Sequence, residues 1–193
     1  MNGRVKTAAV FLDRDGTIIR DVNYLCKKEQ IEILPRVPEA IRMLRQKGYK
    51  IVVVTNQSGV ARGRLTEEQL REIHEELRRR LGQRGAMLDG IYYCPHHPSE
   101  GVGAYNVSCE CRKPNPGLIL KAANELGLDP SASYVVGDKT TDIELAARVG
   151  ARGIWIRNVS VEEGKSPDLI APVVEDLWQA ACWIAGELKH TRV

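Results

Sequence analysis

The chain has 193 residues, enough for one domain with a full core, and its mixed composition is that of an ordinary globular protein. A net charge of +3, with acids and bases interleaved, is too small to argue for a nucleic-acid partner, and no apolar run is long enough to span a bilayer. The amino-terminal stretch MNGRVKTAAVFLD lacks the form of a signal peptide, so a cytoplasmic location without membrane attachment is expected.

In chain order, AAVFLD (8–13) is an apolar run of strand length, followed by a polar, irregular stretch and then IEIL. PEAIRMLRQKG (38–48) has helical spacing, with proline near its start and glycine at its end. KIVVVTN (50–56), rich in β-branched residues, reads as a buried strand. TEEQLREIHEELRRRL (66–81) opens on Thr66, a good N-cap, with acids in its first turn. A strand is expected over LDGIYYC (88–94), a helix over PGLILKAANELG (116–127) and a strand over SYVVGD (133–138). The series closes with a helix over TDIELAARVG (141–150), a fifth strand over RGIWIR (152–157) and an amphipathic helix over VVEDLWQAACWIAGEL (173–188). Alternating strands and helices imply right-handed crossovers and a Rossmann-like α/β fold, a parallel sheet covered by helices on both faces. The chain is expected to be one domain over 1–193, with no large cap and with a metal-bound loop over 94–111.

Ligands of such sheets bind beyond the carboxyl ends of the strands. Asp13, Thr55-Asn56 and Gly137-Asp138 all fall at expected strand ends and would converge on one edge. Asp13 and Asp15 share a tight turn relaxed by Gly16, and two neighbouring carboxylates call for a cation. With Asp138 they form a hard oxygen set suited to Mg²⁺. Thr55, Asn56 and Ser58 supply hydrogen-bonding groups and Lys113 a fixed positive charge, which together suit a phosphoryl group. Taken singly, each of these residues has a plain structural use as a turn, a cap or a solvated charge.

Of the five cysteines, Cys94, Cys109 and Cys111 crowd beside His96 and His97, whereas Cys26 and Cys182 read as packing residues. An odd number clustered with histidines favours a metal over a disulfide framework. Cys94-Pro-His96 and Cys109-Glu-Cys111 suit a closed, structural Zn²⁺ site that replaces the apolar core the loop lacks. Spacing alone does not choose between His96 and His97.

DRDGT (13–17), TNQSG (55–59), RKP (112–114) and GDKTTD (137–142) occur in the order of the four motifs of the haloacid dehalogenase-like phosphohydrolases, which the chain resembles over roughly residues 8–180. That resemblance implies Asp13 as the nucleophile, Asp15 as general acid and base, and Thr55 and Lys113 as holders of the phosphoryl oxygens. It implies Mg²⁺ held by Asp13, Asp138 and the backbone carbonyl of Asp15. YYCPHHP and CECRKPNPG narrow the likeness to members with a zinc loop, for which the ligands would be Cys94, His96, Cys109 and Cys111. Asp21, Val22, Asn23, Tyr24, Asn56, Gln57, Ser58, Arg112 and Lys139 would meet the substrate. That substrate would be a small sugar bisphosphate, a heptose 1,7-bisphosphate losing its 7-phosphate, taken by a monomer. Histidinol phosphate is the nearest alternative, and basic residues at Arg62, Arg64 and Arg112 weigh against its cationic body. A 3′-phosphatase acting on nucleic-acid ends would want a long basic stripe with aromatic stacking groups, which the chain lacks, and a dehalogenase needs neither the second aspartate nor the metal. A silent phosphate-binding module is disfavoured by the intact Asp13/Asp15 pair.

Overall fold

The computed structural model describes residues 6–157 and 171–186. Six strands, β1 (Ala9–Leu12), β2 (Lys50–Asn56), β3 (Gly90–Cys94), β4 (Tyr134–Gly137), β5 (Arg152–Ile156) and β6 (Val173–Val174), form one sheet in the order β3-β2-β1-β4-β5-β6. Every pairing is parallel. Between them lie α1 (Val37–Gln46), α2 (Ser58–Ala61), α3 (Glu67–Gly82), α4 (Gly117–Leu126) and α5 (Thr140–Val149), and α6 (Leu177–Ile184) follows β6.

Side chains of a strand alternate between faces, and here both faces are apolar. Val10, Leu12, Ile51, Val53 and Val136 pack with α1, α3 and α6. Ala9, Phe11, Val52, Val54 and Val135 pack with α4 and α5. The expected α/β sheet with helices on both faces is what forms. Thr66 caps α3 as expected, its hydroxyl accepting from the Gln69 N–H at 3.1 Å.

Two expectations need correction. Val173 and Val174 do not open a helix but add a sixth strand beside β5; Asp176 then starts α6 by accepting from the Gln179 N–H at 2.7 Å. Residues 187–188 of the expected helix lie outside the described residues. β3 begins only at Gly90, because Asp89 turns inward to accept from the Ile51 N–H and from Lys50 and Arg45. After β2, Ser58–Ala61 forms the short α2.

The strand order reverses direction between β1 and β4, which opens a crevice at their carboxyl ends. The Asp13 N–H donates to Val136 O at 2.9 Å and the Gln57 N–H to Cys94 O at 2.7 Å, so the chain leaves β1 and β2 still tied to its neighbours.

Candidate active site

Asp13 follows the last residue of β1 and is buried. Gly16, at φ 80°, makes the turn that brings Asp15 back beside Ile19. Asp138 follows β4 and is also buried. A third carboxylate joins them from α5: oxygens of Asp13, Asp138 and Asp142 lie within 4.8 Å of one another. Asp142 is a site residue that the sequence reasoning misses. Its carboxylate folds back over the end of β4, where a Cβ on Gly137 would run into Asp142 Oδ2. Only glycine at 137 leaves room for it.

Lys113 reaches this group from the loop before α4. Its ammonium donates to Asp13 Oδ1 at 2.7 Å, Asp142 Oδ1 at 2.6 Å and Val54 O at 2.9 Å. All three donors of the ammonium are thereby used. Lys113 therefore holds the carboxylates directly, a partner that the expectation of a phosphoryl holder does not include. Burial lowers the Lys113 pKa, but the carboxylates of Asp13 and Asp142 outweigh it and the net is upward. Burial likewise pushes Asp13 up, and the charges of Lys113 and Lys139, with hydrogen bonds from Lys113 and the Arg14 backbone, bring it below the usual carboxylate value. In Asp142 burial wins over Lys113, and the carboxyl is raised.

Three buried carboxylates face two ammoniums here, Lys113 and Lys139, so the crevice keeps an excess of negative charge before any phosphate enters. A dication fits that imbalance, and hard oxygens are the donors Mg²⁺ takes. Both oxygens of Asp142 already accept, from Lys113 and from the Lys139 N–H at 3.1 Å, which leaves Asp13 and Asp138 as the carboxylates suited to the ion. The Asp15 side chain is turned away to Arg14 and Gln57, so only its backbone carbonyl is available as a metal ligand.

Arg14 is buried, and its guanidinium grips both Asp15 oxygens at 2.9–3.2 Å. Gln57 Nε2 donates to Asp15 Oδ2 at 2.8 Å and to Thr55 Oγ1 at 2.9 Å. Asn56 clamps the backbone of Lys113 from both sides, with Lys113 N–H to Asn56 Oδ1 at 3.0 Å and Asn56 Nδ2 to Lys113 O at 3.1 Å. Ser58 opens α2.

The loop after β1 carries Asp21, Val22, Asn23 and Tyr24. Asp21 accepts from the Asn23 N–H at 2.9 Å and lies 3.5 Å from Lys139 Nζ. Val22 packs partly on the core. The Tyr24 ring carries Arg64 at 4.3 Å and Arg62 at 5.5 Å, and Arg62 also pairs with Glu100. These contacts tie the loop to α5 on one side and to the segment after α2 on the other.

Cys94, His96, Cys109 and Cys111 present donor atoms within 4.8 Å of one another. Their sulfurs lie 3.2–3.5 Å apart, and His96 Nδ1 is 3.3 Å from Cys111 Sγ. A zinc tetrahedron with Zn–S of about 2.3 Å spaces sulfurs by about 3.8 Å, so this soft, compact set fits the ion. His97 is engaged elsewhere, accepting from the Glu100 N–H at 3.0 Å, which leaves His96 as the histidine of the cluster. Arg112 Nη1 donates to His96 O at 3.0 Å, fastening that arginine to the loop. Cys26 packs against the core and Cys182 is buried, in line with packing roles.

Among the described residues, no helix is long and apolar enough to cross a membrane. A family model described as haloacid dehalogenase-like hydrolase matches residues 10–79, and one described as HAD-hydrolase-like matches residues 110–180. The chain is 44% identical over 182 residues to D-glycero-beta-D-manno-heptose-1,7-bisphosphate 7-phosphatase of Yersinia pestis, covering 93% of this chain and 90% of that protein. It is 43% identical to the Escherichia coli K12 protein of the same name, covering 93% and 89%. Among solved structures it resembles D,D-heptose 1,7-bisphosphate phosphatase from B. bronchiseptica, complexed with magnesium and phosphate, at a TM-score of 0.80 and 32% identity over 94% of this chain and 99% of that one. With the four motifs assembled on one sheet edge and relatives this similar along nearly the whole length, the chain belongs to the haloacid dehalogenase-like hydrolase family.

Proposed function

We propose that the protein is a Mg²⁺-dependent phosphomonoesterase that removes the 7-phosphate of D-glycero-D-manno-heptose 1,7-bisphosphate, working as a cytoplasmic monomer and as one domain over the chain. The observation that carries the reading is the buried Asp13 carboxylate, held ionised by Lys113 at the end of β1 with Asp138 alongside. The named relatives, similar over nine-tenths of the chain, support the choice of substrate.

In this reading Asp13 attacks phosphorus and forms an aspartyl-phosphate as the bond to the sugar oxygen breaks. Asp15 gives its proton to that oxygen, then accepts one from the water that frees phosphate and restores Asp13. Bound Mg²⁺, held by Asp13, Asp138 and the Asp15 carbonyl, would neutralise charge on the phosphoryl oxygens. Thr55 and the α2 entrance at Ser58 offer donors to those oxygens, and Lys113 keeps Asp13 ionised and aimed. The Asp21–Tyr24 loop, Arg112 and Lys139 surround the sugar and its second phosphate. Zn²⁺ on the four loop ligands has a structural part, ordering the segment that leads into Arg112.

The test is phosphate release with and without Mg²⁺ from the α- and β-anomers of heptose bisphosphate and from histidinol phosphate. Preference for a heptose bisphosphate is expected. Preference for histidinol phosphate would replace the substrate, and no release from any ester would leave a phosphate-binding module.

A further inference from the structure

Arg14 is 1% exposed, an unusual setting for a guanidinium, and its side-chain hydrogen bonds go to Asp15, Gln57 and His74. Nε and Nη2 both approach the two Asp15 oxygens, Nη2 also donates to Gln57 Oε1 at 2.9 Å, and Nη1 lies 3.1 Å from His74 Nε2. Arginine has no acceptor, so His74 Nε2 must accept, and the imidazole carries its proton on Nδ1. Burial, with Arg14 and Arg78 nearby, holds the His74 pKa down at about 3, which keeps that lone pair available at working pH. His74 itself is buried on the core face of α3, far along the chain from the motifs.

We propose that Arg14, locked from behind by His74 and from the side by Gln57, is a positioning residue that fixes the carboxylate plane of Asp15 for proton transfer. The proposal rests on the reading of Asp15 as the proton donor. An unrestrained carboxylate turns in a broad, two-fold torsional well, so its acidic oxygen has no fixed direction. A two-pronged guanidinium sets that direction, provided the guanidinium cannot turn itself. Nη1 on His74 and Nη2 on Gln57 remove that freedom. The same Gln57 bridges Asp15 to Thr55, so the proton donor and the end of β2 are registered against each other. Arg14 stays charged throughout and does no chemistry. His74 acts at one remove, through Arg14.

The leaving group separates this role from a general loss of structure. A sugar alkoxide needs a proton as it departs, whereas p-nitrophenolate leaves without one. His74→Gln retains an acceptor where Nε2 stands and His74→Leu removes it. With heptose bisphosphate, His74→Leu is expected to lose about tenfold in kcat/KM, a fraction of what general acid catalysis supplies, while its kcat/KM for p-nitrophenyl phosphate stays within about twofold. His74→Gln should stay near wild type on both. Equal losses on the two esters, or no loss on either, would overturn the proposal. If His74→Leu fails to fold, Arg14→Lys, which keeps a charge and loses the fork, is compared on the same two esters: a loss confined to the heptose ester supports the proposal, and equal losses or none overturn it. Failure of the substrate reading looks different: wild type would then be inactive on the heptose ester, and the leaving-group ratio is measured on whichever alkyl phosphate wild type hydrolyses.

Discussion

The Lys113 ammonium and the Asp13 carboxylate meet at 2.7 Å with both side chains buried. An ion pair sealed in this way is costly to form and costlier to break, since removing one partner strands the other. Its use here is chemical: it keeps a carboxylate charged in surroundings that would otherwise protonate it.

Asp13→Asn should abolish turnover, by at least about 10³-fold, because an amide is not a nucleophile toward phosphorus. The fold should survive, since the amide oxygen still accepts from Lys113. Phosphate release and far-ultraviolet circular dichroism check the two halves, and wild-type activity would refute the assignment.

Asp142→Ala leaves Lys113 with one carboxylate in place of two and is expected to cost about 3 kcal/mol of stability, in the range for a broken buried pair. Asp142→Asn should cost less and still lower kcat. Gly137→Ala should reproduce the Asp142→Ala loss of stability and lower kcat, because the added Cβ takes the space of the Asp142 carboxylate. Urea unfolding of the three variants, alongside their rates, tests this ordering.

His74 makes stability depend on pH in a defined window. In the folded chain its imidazole stays neutral down to about 3, whereas an unfolded histidine takes up a proton near 6.5. Between those values the unfolded state binds the extra proton, so this contribution is full above pH 6.5 and is lost as pH falls. The slope approaches ~1.4 kcal/mol per pH unit. His74→Gln should flatten the wild-type curve between pH 7 and 5 by that contribution, read from urea midpoints.

Freshly purified protein should contain zinc, and chelation or Cys109→Ala should lower the melting temperature and raise KM. The KM effect is expected through Arg112, which hangs on the loop by His96 O. Metal analysis and calorimetry decide it, and a zinc-free, fully stable wild type would count against the site.

Much of this can be read along the chain. Asp13, Thr55 and Asp138 each close a run of β-branched or apolar residues, and a parallel sheet sends such ends to one edge. Asp142 stands inside GDKTTD without drawing notice, because its part depends on a helix start folding back over Gly137, a three-dimensional relation that spacing does not encode. Arg14 between two aspartates looks like a solvated charge until its burial is seen. His74 occupies an apolar position of α3, where a histidine is ordinarily packing. Val173-Val174 reads as the start of a helix because two residues are too few to show a strand's period. The cysteine cluster is legible from residue type, whereas the separation of His96 from His97 needs the loop's own hydrogen bonds.

The Asn56 side chain treats the backbone of Lys113 as a neighbouring strand would, one donor and one acceptor on each side. The lysine is thus anchored to the sheet independently of the segment that precedes it. A change in the length or composition of the stretch between His97 and Ser108 would therefore leave the charge that readies the nucleophile where it is.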